Sequence, residues 1–515
     1  MKQDNTPLAW QQYEAGRDYK RRCGLYARIR ENERFWRGDQ WYGETADLPR
    51  PVFNVVRRVV EHLVCSIIAD SVAIVYSDEH LPTVDGTAAA AIRAGLAALN
   101  RNAAYRWERC RMDRLVRQAL TDAAITGDGV FYAYWDADAE TGGVWRGDIA
   151  TVCVDNVNLF VADVNRADLQ SQAYVMLAGR ARVDELRTEA VAAGMPREEA
   201  FARVLPDRET ETQAGDMAAL ELEGDDAGKA TYLIKFWRED GVVFFEKSVR
   251  GGVIRQGSTG CRRYPVAYFN WSSVKNSFHG MSPITQMIPN QRFLNRAYAM
   301  AMKHMTDTAF SKVVYDKSKI PEWSNGVGEA IAAVGGNVAD AVSVVGVGQM
   351  QEGYLELIEN TLRVTKELAG APDVSLGSVD PNNTSAILAL QEAASVPLEQ
   401  VRSAVYGCVE DLANIWADMM CAYYPEGRLL PVRAGGEVAL EAVDFAALRR
   451  ALIVARVEVG EGARYATAAT VSLLGQLLDK GHITFSEYLE RLPSHLLLDK
   501  QALLERRKED GNGNE

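Results

Sequence analysis

The character of this 515-residue chain changes at Ser282. From Ser282 to Thr306 the residues SPITQMIPNQRFLNRAYAMAMKHMT carry apolar positions at helical spacing. A Pro/Gly-containing module follows from Asp307 to Gly348, reading as strand (FSKVVYD), short helix (GVGEAIAAV) and strand (DAVSVVGVG). A second helix then runs from Glu352 to Ala369. Two helices bracketing a strand-containing insert confine the chain to mixed architectures. The expected fold class is α+β, mainly helical. At this length a single hydrophobic core is excluded, so two or more core-bearing regions are expected.

The stretch before Ser282 supplies helices first and strands later. Leu25, Ile29, Phe35 and Trp36 recur at helical spacing, and the glycine of GDQW ends that helix. The crowd of aromatics from Trp10 to Tyr42 has two readings, stacking on bases or packing inward, and the helical spacing favours the second. Val55, Val56, Val59, Val60, Leu63, Val64, Ile67 and Ile68 form one apolar stripe of a further helix. Helical patterns also cover Ala88 to Asn100 and Tyr105 to Thr126, the latter stopping at the glycine of TGDG. The period then becomes two. VFYAYWD, the polar DADAETGG and VWRGDIATVCV predict a β-hairpin, and ATYLIKFWRED, GVVFFEKSV and YPVAYFNW predict further strands. Residues 207–228 form an acidic insertion of low hydrophobicity, read as an exposed loop.

Beyond Ala369 comes a polar, turn-rich stretch, Asp373 to Thr384 (DVSLGSVDPNNT). A long helical segment follows from Ser385 to Tyr424, and Pro397 inside it is expected to kink it. Residues 429–460 read as strand and helix, and 463–510 as helical, with Thr484 and Glu487 placed as a capping box.

Composition and motifs exclude several functions. Acidic residues outnumber basic ones, 70 to 57, for a net charge of -13, whereas a protein gripping nucleic acid over its whole surface is basic. The seven cysteines include no CxxC pair and are odd in number, which argues against a disulfide framework or zinc site and fits a reducing compartment. The six histidines show no HExxH spacing. The N-terminus lacks an apolar signal-peptide core. Val55 to Tyr76 is interrupted by Glu61, His62 and Asp70, so no membrane span is expected. Asp136, Asp138 and Glu140 mimic the start of a calcium loop, but Thr141 and Gly147 stand where that loop needs glycine and glutamate. GDDAGK, residues 224–229, has too few residues between its glycines for a phosphate loop, and Ala230 follows its lysine. No cofactor, metal or catalytic group is expected.

The chain resembles the portal proteins of tailed bacteriophages. The resemblance rests on motifs spread over nearly its whole length. These are Asn32, Glu33, Phe35 and Gly38 to Trp41 in the first helical region, and Phe53 and Asn54 opening the next helix. Gly280, Ser282, Ile284, Ile288, Gln291, Leu294 and Asn295 follow in the middle, then Gln391 and Pro397-Leu398, then Gly481 to Pro493. The resemblance implies a ring, usually a dodecamer, with wing, stem, clip and crown regions around an axial DNA channel. It implies a wing at 1–280, stem helices at 281–309 and 349–372 around a clip at 310–348, and a tunnel loop at 373–384. A long kinked helix at 385–424, a wing return strand and helix at 425–462 and a helical crown at 463–515 complete the order. The implied partners are further copies of the chain, double-stranded DNA held weakly and without sequence preference, terminase large subunit, head–tail adaptor, and major capsid or scaffolding protein, with no membrane. The implied location is the portal vertex of the virion, with host cytoplasm as the place of assembly. An acidic channel suits DNA that must slide, because each phosphate contact adds salt-dependent affinity. The alternative is a cytoplasmic hydrolase whose site escapes motif search.

Three groups of residues are candidates for function. Ser378, Asp380, Asn382, Asn383 and Thr384 would lie on the tunnel loop, an ordinary surface turn being the other reading. Lys312, Lys317, Lys319 and Trp323 would dock the adaptor from the clip, although lysines also guard edge strands. Arg292, Arg296 and Lys303 share a face of the first stem helix, and Glu352, Glu356 and Glu359 share one of the second. An antiparallel pair sets Lys303 level with Glu352 and Glu356, and Arg296 near Glu359. The faces are expected to meet within a subunit or between neighbours. Two solvated faces, or glutamates lining the channel, are the alternatives.

Overall fold

The computed structural model describes residues 7–459, apart from 44–47, 69–71, 79–85, 142–144, 208–227, 310–311, 325, 327–329, 336–339, 346–352, 373–395 and 435–436, together with 474–478, 480–482, 484 and 488. All but the end residues of the acidic insertion, the whole stretch 373–384 and most of 463–515 lie outside these residues, as do Glu352, Gln391 and Glu487.

Glycines set the first helices. α1 (Leu8–Arg22) and α2 (Leu25–Arg37) are separated at Gly24, and α2 ends at Gly38, both in the left-handed region that favours glycine. Trp10, Tyr13 and Phe35 are buried as the helical spacing predicts, whereas Tyr42 is exposed. α3 (Val55–Ile67) buries Val56, Val59, Val60, Leu63, Val64 and Ile67 and is capped by the Asn54 side chain, which accepts from Arg57 N. After β1 (Val72–Asp78), α4 spans Gly86–Arg109 and α5 Met112–Thr126. The single helix expected from Tyr105 to Thr126 is therefore two. Arg111 breaks it with a φ of 52°, a cost that no sequence signal announces, and the Trp107 Nε1–H reaches across to Asp113 Oδ1 at 2.8 Å.

Eight of the strands form two larger sheets, of three and five. β2 (Asp128–Glu140) pairs with β3 (Arg146–Cys153), the expected hairpin, and on its other side with β9 (Val266–Asn270). β4 (Leu159–Val161), β5 (Tyr174–Arg182), β6 (Lys229–Glu239), β7 (Val242–Val249) and β8 (Gly252–Ser258) form an antiparallel meander. α6 (Val183–Ala192) and α7 (Arg197–Arg203) lie between β5 and β6. Val130, Leu159, Val175, Phe236 and Phe278 pack in one cluster that joins the two sheets.

From the body emerges α8 (Pro283–Thr308), then a two-stranded unit of β10 (Lys312–Tyr315) and β11 (Val342–Val345), then α9 (Gly353–Leu368). The short helix expected within GVGEAIAAV is not formed by its described residues. Ala330 to Val334 are irregular, and the Val334 N–H is spent on Lys319 O at 2.7 Å instead of on a helical turn. α10 spans Glu399–Tyr423, and residues 385–395 of the long segment expected to be helical lie outside the described residues. Pro397 lies in a 3-10 turn, Val396–Leu398, directly ahead of α10, where its missing N–H costs that helix no hydrogen bond. α10 crosses the core, burying Leu412 and Trp416, whose Nε1–H donates to Thr151 Oγ1 at 3.0 Å. β12 (Leu429–Ala434) and β13 (Glu437–Ala442) form a hairpin, α11 (Phe445–Leu448) is one turn, and β14 (Ile453–Val459) pairs with β1. Strands almost four hundred residues apart in sequence thus close the body.

Candidate functional site

The start of α8, which leads into the β10–β11 unit and α9, is set against a buried polar hub. Asp128 opens β2 at 1% exposure. Its carboxylate accepts from Gly280 N (2.7 Å), His279 Nδ1 (2.7 Å), Asn270 Nδ2 (2.9 Å) and Asn156 Nδ2 (3.0 Å). The Tyr268 hydroxyl lies 3.0 Å from the same carboxylate and also reaches Phe278 O, so its one proton serves one of the two. Burial alone would push Asp128 up, but His279, the Gly280 amide and Asn156 hold it below the usual carboxylate range. An ionised carboxylate only accepts, which places the His279 proton on Nδ1. The hub also needs two backbones in contact. Gly127 has a φ of 105°, and a Cβ there would sit 2.7 Å from Gly280 O, while one at Gly280 would sit 2.7 Å from Gly127 O.

Directly after the hub, Ser282 caps α8. Its hydroxyl accepts from Ile284 N (3.1 Å) and donates to Ala124 O (2.5 Å), tying the helix start to α5. A second polar line runs up α8. Asn32 Nδ2 donates to Ile125 O (2.8 Å) and Thr285 Oγ1 (3.0 Å). Gln291 receives Val55 N (3.1 Å) and donates to Phe53 O (2.9 Å) and Asn295 Oδ1 (2.8 Å), and Asn295 donates to Gln40 Oε1 (2.8 Å). Gln40 and Asn54 both donate to Phe35 O, closing the end of α2. Gln40, Asn54, Gln291 and Asn295, four of the residues that carry the sequence resemblance, thus form one hydrogen-bonded clamp between α2, α3 and α8, and Asn32, Gly280 and Ser282 fix the start of α8 beside it.

Lys20 anchors α1 in a similar way. It is buried, its Nζ donates to Asn156 O (2.9 Å), Val157 O (3.0 Å) and Leu159 O (2.6 Å), and it lies 4.0 Å from the centre of the Phe160 ring. Burial lowers its pKa to about 7 against the opposing pull of Asp128 and Asp155.

Along the projection, α8 and α9 touch through apolar residues. Leu294, Ala297 and Ile358 are buried together with Tyr298, Tyr354 and Leu362 around them, and the Tyr354 hydroxyl donates to Ala297 O at 3.0 Å. Tyr354 and Ile358 of α9 thus pack against Leu294, Ala297 and Tyr298 of α8. Within one chain the charged faces do not meet. Arg292 pairs with Glu31 of α2, and Lys303 with Asp307 of its own helix at 3.5 Å. α8 extends past Thr306, so it includes that acidic residue, which the shorter helix expected from sequence omits. Arg296, Glu356 and Glu359 are exposed and have no ion-pair partner among the described residues.

At the tip, Trp323 stacks on Tyr315, centroids 5.1 Å apart, over the β10–β11 unit. Lys317 is exposed and Lys319 half-buried, while Lys312 lies on β10. Val314, Ile331 and Val334 are exposed beside them. Ser378, Asp380, Asn382, Asn383 and Thr384 lie outside the described residues.

Asp128 and His279 look like an acid–base pair, but they do not line the cavity of about 600 Å³ between the two sheets. That cavity is walled by Tyr132, Tyr134, Tyr232 and Phe245, with Lys247 paired to Glu189 at 2.5 Å. Among the described residues no group of three or more His, Cys, Asp or Glu is placed to hold a metal ion, and no helix is long and apolar enough to cross a membrane.

Residues 198–445 match the family of Phage P22-like portal proteins, which bears out the resemblance drawn from the sequence. No curated protein matches the chain. The matched span runs from α7 to the start of α11 and so contains the whole projection.

Proposed function

We propose, on the premise that this chain belongs to the tailed-phage portal protein family, that its copies form a ring at one capsid vertex and enclose the channel through which DNA is packaged and ejected. The family is a structural component of the phage, not an enzyme. The observation that carries the reading is the family match over a span in which a helix, a small two-stranded unit and a second helix project together from a mixed body.

In this reading residues 1–280 and 425–462 form the wing, α8 and α9 the stem, 310–348 the clip and 463–515 the crown. A ring of about twelve copies is the family's usual assembly. The clip, with Lys312, Lys317, Lys319 and Trp323, docks the terminase large subunit and later the head–tail adaptor, and the wing faces the capsid or scaffolding protein. The loop 373–384 reaches the channel axis. There Ser378, Asn382, Asn383 and Thr384 offer hydrogen-bonding groups without charge, and Asp380 repels phosphate, so DNA is contacted but not gripped. The clamp at the root of α8 would keep the stem from yielding as DNA passes.

Deleting Ser378 to Asn383 tests the channel role. Rings should still assemble, and DNA packaging or retention should fall. A normal yield of packaged genome from the deletion would refute it.

A further inference from the structure

The faces that α8 and α9 turn away from each other have a regular spacing. On α8, the residues opposite the contact with α9 are Pro289, Phe293, Arg296, Met300 and Lys303, separated by alternating steps of four and three. Phe293 is 44% exposed and Met300 48% exposed, large apolar side chains on the outside of a helix whose inner side is fully packed. On α9, the residues opposite Ile358 include Glu356 and Asn360, again four apart, flanked by exposed Leu357 and Glu359. One stripe is apolar with unpaired positive charge at Arg296. The other is negative with an apolar flank.

We infer that these two stripes are the contact between neighbouring copies, with α8 of one chain packed on α9 of the next. This rests on the ring reading above and names the surfaces that close the ring. Each stripe lies on the far side of its helix from the intrachain contact, so the helices alternate α9, α8, α9, α8 around the ring. Such an interface is heterologous, with one patch meeting a different one, which is the kind that generates rings. A second copy is the fitting occupant because the two stripes complement one another in charge and both offer exposed apolar side chains, Phe293 and Met300 on one and Leu357 on the other.

The acidic residue on the face opposite Ile358 is Glu356, with Glu359 and the exposed Leu357 on its two flanks, so Arg296 of one copy meets Glu356 of the next and the exposed Phe293 meets Leu357.

The test uses the full-length chain with the exposed Cys23 and Cys65 replaced by serine. Assembly is read by sedimentation across a concentration series. Arg296→Glu should raise the concentration for half-assembly by about tenfold or more, since like charges brought face to face are costly, and Arg296→Glu with Glu356→Arg should restore it. Independently, Phe293→Cys with Leu357→Cys should give a ladder of covalent oligomers on mild oxidation, absent from either single variant. If the unaltered chain forms rings but Arg296→Glu assembles normally and no ladder appears, this interface is wrong and the ring reading stands. If the unaltered chain remains monomeric at every concentration, the ring reading fails and this interface with it.

Discussion

Removing the carboxylate of Asp128 should loosen the root of α8 more than any other single change in the polar framework. Asp128→Ala takes the acceptor from the N–H groups of Gly280 and His279, and one of the acceptors from the side-chain amides of Asn270 and Asn156, which keep Phe278 O and Thr126 O. A buried donor left unsatisfied costs about 1–3 kcal/mol, and water entering the vacated volume recovers part of the sum. Loss of one charged partner from a buried polar group costs about 3–5 kcal/mol, so about 4 kcal/mol is expected here. A chain of this size does not unfold in one step. The assay is therefore amide hydrogen exchange at Gly280, Trp271 and Ile284, where the lost energy appears as roughly a thousandfold rise in exchange if these amides open with the hub. The pH dependence has a fixed sign. Asp128 is held below its unfolded value, so its contribution is fully present above about pH 4 and is lost as pH falls through the lower folded value. If Asp128→Ala raises exchange less than tenfold at these amides, the hub does not hold the helix and the reasoning is wrong.

Other outcomes follow from the same structure. Asn295→Ala removes the links to Gln291 and Gln40 and should cost about 1–3 kcal/mol, read as a lower melting temperature, whereas Arg292→Ala at the exposed pair with Glu31 should cost under about 1 kcal/mol. Lys20 has a folded pKa of about 7, below its unfolded value, so the unfolded chain binds the extra proton between about pH 7 and 10.5. Protection of α1 from exchange should accordingly rise with pH through that window, and Lys20→Met should abolish the dependence. Replacing 310–348 by a short linker should leave the wing folded and eliminate adaptor binding, and retained binding would tell against docking at the clip.

Much of the local structure was legible because it depends on spacing and turn chemistry. The α3 stripe, the stop of α2 at Gly38, the β2–β3 hairpin and both helices of the projection follow from period and glycine placement alone. What escaped depends on distant contacts. Asp128 and His279 are 151 residues apart, and only Gly127 and Gly280, each in a short glycine-bearing segment, hinted at backbones in close approach. The burial of Lys20 was invisible, because its three acceptors are backbone carbonyls over 130 residues away. The break at Arg111 has no glycine or proline to mark it. Which residues α8 and α9 bring together likewise depends on apolar contacts among Leu294, Ala297 and Ile358, because exposed charges contribute too little to decide it.

The central claim is that copies of this chain close into a ring, and electron-microscope imaging of the purified full-length protein tests it most directly. With a chain mass of 56.8 kDa, about twelve copies give particles near ~700 kDa. The account predicts such particles as rings with a central hole and a narrower stem at one end. Compact single subunits at every concentration, with no closed rings, would contradict it.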